Sequence, residues 1–220
     1  KDSVNAGGAG DPLCKVPDNV SDSDAVLAYL AAVPLKGVEQ FDLRPSDHVL
    51  VFGAGMVGIS AMQILKIKCP GVTVIAAEPH PFRREIAAGF ADYVMAPGNL
   101  GLLREITGGK LADKIIECSG NPAVPGILHR YLKDGGWFDD DEPGHIHLNG
   151  DYPENLIFDA YHRWFTKNPR ITMSCALKWK GKKQILEWMS KGLFKTGSLP
   201  VETWPADKAK EAFAYLDRKG

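Results

Sequence analysis

Three glycines and one carboxylate have the types and spacing to hold a nucleotide diphosphate. Gly53-Ala54-Gly55-Met56-Val57-Gly58 follows the apolar run Val49-Leu50-Val51-Phe52 directly and precedes Ile59 to Ile67, whose apolar residues recur at helical spacing. A GxGxxG pattern alone is weak; a strand before it and a helix after it make it informative. Gly53 permits a tight turn, Gly55 lets the backbone come close to a pyrophosphate, and Gly58 lets the helix pack on the strand. The helix start at Met56 and Val57 then offers unpaired N–H groups and a positive dipole end to phosphate.

Glu78 ends the second apolar run after Ala76-Ala77, twenty-five residues beyond Gly53. A carboxylate there can accept hydrogen bonds from both hydroxyls of an adenosine ribose and repels a 2′-phosphate, which favours NAD over NADP. Arg83 and Arg84, just downstream, are cations that could hold that phosphate instead. The plainer reading of Glu78 is a solvated carboxylate at a strand end. Further on, Glu117-Cys118-Ser119-Gly120-Asn121-Pro122 puts small residues where a dinucleotide would cross the sheet. Ser119 and Gly120 are therefore candidate cofactor contacts, although Ser119 or Asn121 could equally cap the following helix.

Other groups carry less. His145 and His147 alternate on one face of a short strand with His162 nearby, but no cysteine or carboxylate is spaced to complete a metal shell. Histidines satisfied by neighbouring backbone are the simpler expectation, and no metal is assigned. Trp137-Phe138-Asp139-Asp140-Asp141-Glu142-Pro143 reads as a solvated acidic loop without EF-hand spacing. There is no GxSxG elbow and no GKS or GKT phosphate loop. Trp164, Trp179, Trp188 and Trp204 are expected to pack helices onto the sheet.

The elements that must position these residues alternate regularly. Strands are expected at 49–52, 72–77, 92–95 and 114–118, with helices at 59–67, 82–89, 99–106 and 123–132, then strands at 145–148 and 170–174 around a helical stretch at 157–166. Continuous apolar runs mark strands buried on both faces. Such βα alternation predicts an α/β fold with a doubly wound, parallel, six-stranded Rossmann sheet. Ahead of it, Ser21 to Asp24 is a helix-start signature before Ala25 to Leu30, with Pro34 limiting the helix. After Cys175 come a helix at 181–192, an extended piece near 201–204 and a last helix at 206–216, a small helical appendage. The expected division is 1–45 as linker with one helix, 46–175 as the dinucleotide-binding domain, and 176–220 as the C-terminal segment.

Acidic and basic residues nearly cancel, 27 against 26, so no strong field draws nucleic acid or an anionic membrane surface. Cys14, Cys69, Cys118 and Cys175 form no CxxC pair or disulfide framework. With no apolar run near the roughly 18 residues of a membrane span, a cytoplasmic location is expected. The chain opens on Lys1, which fits a fragment or a processed product.

The sequence resembles the medium-chain dehydrogenase/reductases, which include zinc-dependent alcohol, polyol and threonine dehydrogenases. The resemblance is carried by Lys15 to Ser21, Leu43-Arg44-Pro45-Ser46-Asp47 before the glycine turn, Ile116 to Pro122, and Leu132-Lys133-Asp134-Gly135-Gly136; the tail from Ile185 to Gly192 and from Pro205 to Phe213 is similar too. It implies pyrophosphate contacts at Gly55, Met56 and Val57, ribose contacts at Glu78, an adenine-side role for Arg83, cofactor contacts at Ser119 and Gly120, and a nicotinamide carboxamide near Asn149, Gly150, Ser174 and Cys175. It also implies that most of the catalytic domain is absent. The family's remaining zinc-ligand position falls near Ala28 or Tyr29, neither of which binds zinc, and the loop at 137–143 interrupts the usual passage into the fifth strand. The expected function is an NAD(H)-dependent oxidoreductase component, moving hydride between nicotinamide and an alcohol or carbonyl of a small-molecule substrate, with no catalytic residue named. The alternatives are a catalytically silent NAD-binding sensor or scaffold, and an S-adenosylmethionine-dependent methyltransferase, which Gly58 and the tail disfavour. Family members often join sixth strands edge to edge, so a homodimer through Arg170 to Cys175 is expected.

Overall fold

In the computed structural model the described residues are 13–138, 141–153, 155–158, 160–197 and 199–219. Six strands form one sheet: β1 His48–Phe52, β2 Thr73–Ala77, β3 Tyr93–Met95, β4 Lys114–Glu117, β5 His145–Leu148 and β6 Arg170–Met173. Their order across the sheet is β3-β2-β1-β4-β5-β6, and every pairing is parallel. The chain therefore reverses direction of growth between β3 and β4, leaving a crevice beside β1 at the carboxyl ends of the strands.

The strands of the centre are apolar throughout because both faces are covered. One face buries Val49, Val51, Val74, Ala76 and Ile116 together with residues from three helices, α2 Ala28–Val38, α3 Met56–Lys68 and α7 Trp179–Ser190. The other buries Leu50, Phe52, Ile75, Ile115, Ile146 and Leu148 beneath Leu103, Leu128 and Trp164. Further helices are α1 Asp22–Ala25, α4 Pro81–Ala87, α5 Leu100–Ile106, α6 Tyr161–Lys167 and α8 Ala209–Lys219.

Several expectations from the sequence need correction. Pro34 lies inside α2, because burying Ala31, Ala32, Leu35 and Val38 between α3 and α7 outweighs the one backbone bond it forfeits. The stretch 123–132 forms a 310 turn at Pro125–Arg130, and the helix placed at 157–166 runs instead over Tyr161–Lys167. The C-terminal segment is not uniformly an appendage: Ile185, Leu186 and Phe194 enter the same core as β1, whereas α8 leaves Phe213 and Leu216 exposed. Trp164 and Trp188 pack on the two cores as expected. Trp204 instead lies 5.6 Å from Tyr215 of α8, and the side chain of Trp179, like Asp139 and Asp140 of the acidic loop, is outside the described residues.

Candidate dinucleotide site

The glycine turn is built as its spacing requires. Gly53 adopts φ +87°, and a β-carbon there would stand 2.8 Å from the Ser119 α-carbon, so neither the conformation nor the space admits another residue. A β-carbon on Gly58 would fall 1.9 Å from the Gly53 carbonyl oxygen, which is how closely α3 rides over the turn. Gly55 differs from both. It is the extended N-cap of α3, no side chain caps the helix, and nothing lies within 4 Å of where its β-carbon would be. Open space thus faces the first N–H groups of a 13-residue helix, including those of Met56 and Val57, which have no intrahelical acceptor. That cradle, filled by any side chain at position 55, fits a diphosphate.

Glu78 stands where the sequence puts it, immediately after β2, but it is not a solvated carboxylate. It is 2% exposed, with Oε2 accepting the Ala54 N–H at 2.7 Å and Oε1 accepting the His80 N–H at 2.9 Å. Two backbone donors orient it against the turn, and the remaining lone pairs of a carboxylate stay free to accept from ribose hydroxyls. Arg84 donates to the carbonyls of Glu78 and Pro79 at 2.8 and 2.6 Å, so it braces the loop. Arg83 is exposed on α4.

Across the crevice, Ser119 is exposed and Gly120 adopts φ +66°. The Ser119 N–H donates to Glu117 Oε1 at 2.7 Å, and its hydroxyl donates to the same oxygen. The Ser119 hydroxyl also accepts from the Asn121 N–H, and Asn121 Oδ1 accepts from the Ala123 N–H; both close turns within the loop, and neither caps the 310 turn at Pro125–Arg130, whose N-cap is Val124 without a side-chain bond. The Asn149 N–H donates to the Glu117 carbonyl at 2.9 Å. Its side-chain amide is buried without a hydrogen-bond partner, as are Glu117 Oε2 and the Tyr152 hydroxyl. Gly150 sits between those last two: a β-carbon there would lie 2.8 Å from Glu117 Oε2 and 2.6 Å from the Tyr152 oxygen.

Glu117 and Tyr152 are what reasoning from the sequence overlooked. The signal for the first was present, an acid inside the apolar strand Ile115-Ile116-Glu117-Cys118; Tyr152 follows the strand in a segment with no periodicity to read. Burial pushes the Glu117 carboxyl above its ordinary range, against opposing hydrogen bonds from Ser119 and Gly120. Desolvation also lifts the Cys118 thiol well above its usual value, which keeps it from acting as a thiolate nucleophile.

His145 and His147 share the Thr172 hydroxyl, at 2.8 and 2.9 Å, and His147 reaches the Ser174 hydroxyl at 3.2 Å. Burial lowers both imidazoles to about 4. They are neutral groups of the core, beside Phe41, while His162 lies against Phe165 on α6. Ala28 is buried and Tyr29 is 51% exposed in α2. Among the described residues no cluster of three or more His, Cys, Asp or Glu could hold a metal ion, and no helix is long and apolar enough to cross a membrane.

Sheet order, parallel pairing and the turn between β1 and α3 define a Rossmann-fold domain. No family model matches the chain. The resemblance drawn from the sequence is nevertheless borne out by relatives: those that the chain matches include dehydrogenases, among them a zinc-type alcohol dehydrogenase-like protein of Haemophilus influenzae. An alcohol dehydrogenase of Cupriavidus necator is 32% identical over 129 residues, covering 56% of this chain and 35% of that protein. L-galactonate-5-dehydrogenase of Escherichia coli K12 is 29% identical over 123 residues, 54% of this chain and 36% of the relative. Among solved structures, an alcohol dehydrogenase of Escherichia coli CFT073 complexed with NADH superposes with a TM-score of 0.77 at 24% identity, over 93% of this chain and 58% of that one. The zinc dependent alcohol dehydrogenase 2 of Streptococcus pneumonia gives 0.80 at 18% identity, over 94% and 58%. At these identities the structural likeness speaks for the fold. The matched stretches span about a third of the curated relatives' length.

Proposed function

We propose that this chain is the cofactor-binding part of an NAD(H)-dependent oxidoreductase of the alcohol-dehydrogenase type, serving hydride exchange with an alcohol or carbonyl substrate. The observation that carries the reading is the uncapped start of α3 at Gly55, open to an approaching phosphate, with the Glu78 carboxylate fixed beside it through the Ala54 N–H. When bound, the nicotinamide ring supplies the hydride chemistry. The chain's own residues do the holding: amides of Met56 and Val57 bind the diphosphate, Glu78 accepts from the adenosine ribose, and Ser119, Gly120, Asn149 and Gly150 line the path toward the nicotinamide. Arg83, exposed on α4, flanks the adenine side. The engagement of Arg84 with two carbonyls supports NAD over NADP, since that cation is committed to the loop.

The same reading includes the division at residues 45 and 175, a homodimer formed edge to edge through β6, and a reducing, cytoplasmic setting. The last is supported by four free cysteines. NADH fluorescence titration of the purified chain, with S-adenosylmethionine as competitor, tests the core of it. Saturable NADH binding that S-adenosylmethionine leaves untouched is expected; displacement by S-adenosylmethionine would favour a methyltransferase instead. Turnover with a panel of alcohols and aldehydes separates an active component from a silent NAD-binding domain.

A further inference from the structure

Resting on the dinucleotide reading, we propose that Lys36 is a specificity-determining residue: an ammonium fixed at the nicotinamide end of the crevice, where it favours the reduced, uncharged ring over the oxidised, cationic one. The sheet order determines which end that is. With the diphosphate at α3 and the adenosine ribose at Glu78 after β2, the rest of a dinucleotide runs the other way, over the carboxyl ends of β4 and β5 toward β6.

The packing of α2 brings Lys36 to those ends. It lies in the last turn of the helix, where a cation suits the negative end of the dipole. The next residue, Gly37, is buried, and a β-carbon there would stand 2.6 Å from the His147 ring and 3.1 Å from Asn149 Oδ1. The backbone of α2 is therefore pressed directly against the end of β5. From there Lys36 Nζ crosses to donate to the Cys175 carbonyl, just beyond β6, at 2.7 Å. The neighbouring Ser174 hydroxyl meets His147 Nε2 at 3.2 Å, so the segment that receives the ammonium is itself tied to β5.

The kind of acceptor decides what Lys36 can do. Lys114 and Lys178 are paired with the carboxylates of Asp47 and Glu39, at 2.6 and 2.8 Å. Lys36 is bound instead to a neutral carbonyl, which holds the charge in place without cancelling it. Its field reaches His147: burial first, and then the charge of Lys36, hold that imidazole at about 4. NAD+ and NADH share the diphosphate, both riboses and the adenine, and differ at the nicotinamide ring, which is a cation only when oxidised. Contacts at α3 and β2 therefore cancel when the two are compared, whereas a fixed cation beside the ring does not. Glu117, the buried acid beneath Ser119, is common to every variant below, so the differences report on Lys36.

The test compares the full chain with Lys36→Arg, Lys36→Gln and Lys36→Met. It reads the ratio of the NAD+ to the NADH dissociation constant, with ADP affinity and thermal melting as controls on the rest of the site and on folding. The Lys36→Arg protein keeps the charge and is expected to keep the wild-type ratio. Lys36→Gln keeps a donor without the charge, and Lys36→Met keeps neither. Both are expected to lower the ratio about tenfold, the size of one charge interaction near a protein surface, while ADP affinity stays unchanged. A wild-type ratio in folded Lys36→Gln and Lys36→Met proteins that still bind NADH would overturn the role of Lys36 and leave the dinucleotide reading standing. A lowered ratio in Lys36→Met alone would trace the effect to the hydrogen bond and overturn the part given to charge. A wild-type chain that binds neither NADH nor ADP would overturn the dinucleotide reading, and this inference with it.

Discussion

The Glu78 carboxylate accepts the backbone N–H of Ala54, 24 residues earlier, at 2.7 Å. One hydrogen bond therefore joins the end of β2 to the middle of the glycine turn, and the groups proposed to grip a ribose and a diphosphate are set by the same contact. A second bond from the His80 N–H fixes the carboxylate's rotation.

Glu78→Ala leaves two backbone N–H groups without their acceptor, so it is expected to lower stability by about 1–3 kcal/mol. The same change removes the charge that opposes a 2′-phosphate. The ratio of NADPH to NADH affinity should rise by about tenfold or more, one charge interaction's worth. Chemical denaturation and paired cofactor titrations measure the two effects separately; an unchanged ratio would take the ribose role away from Glu78.

Acid should destabilise the protein through its histidine pair. His145 and His147 are lowered from 6.5 to about 4 by burial, with nearby Arg170, Lys114 and Lys36 adding to it. Between those values the unfolded chain binds protons that the native state refuses, so stability falls as pH drops from about 6.5 toward 4, with up to about two protons involved. Glu117 works in the opposite sense. Its raised pKa means that stability present in acid is lost as pH rises through its folded value. Two groups outweigh one, and urea midpoints should decline from pH 7 to pH 4.5; a rising midpoint over that range would contradict the pairing at Thr172.

One of the two outer strands of the sheet is β6, where Ile171 is 37% and Met173 is 69% exposed. An apolar, unpaired edge strand is a surface that another chain can extend. Light scattering at micromolar concentration should report a dimer, and Ile171→Lys should convert it to monomer without lowering the melting temperature. A wild-type monomer would remove the edge-to-edge proposal.

Much of the fold is legible in the sequence, for physical reasons. Strands such as Val49 to Phe52 are buried on both faces, so they appear in sequence as unbroken apolar runs bounded by turn residues. The glycine turn was legible because its need for positive φ at Gly53 and for absent side chains at Gly53 and Gly58 is local. What stayed hidden depends on contacts made across the fold. Pro34 continues a helix only because α3 and α7 hold it there. Glu78 turns inward only because Ala54 presents a donor. Glu117 was visible as an acid in an apolar strand, yet its partner Ser119 meets it through a loop that no periodicity describes.

In the proposed function Gly55 is kept bare for a phosphate and not for the fold. Gly55 has the extended geometry of an N-cap, and an aspartate there would cap α3 and favour its dipole. Gly58→Ala, by contrast, drives a β-carbon into the Gly53 carbonyl and should cost about 3 kcal/mol, near 10 °C of melting temperature. The decisive measurement is thermal melting and NADH titration of Gly55→Asp beside the wild-type chain. The expected result is a melting temperature equal or higher, with NADH affinity lowered by about a hundredfold or more from like charge against phosphate. A stable Gly55→Asp protein that binds NADH as tightly as wild type would contradict the account.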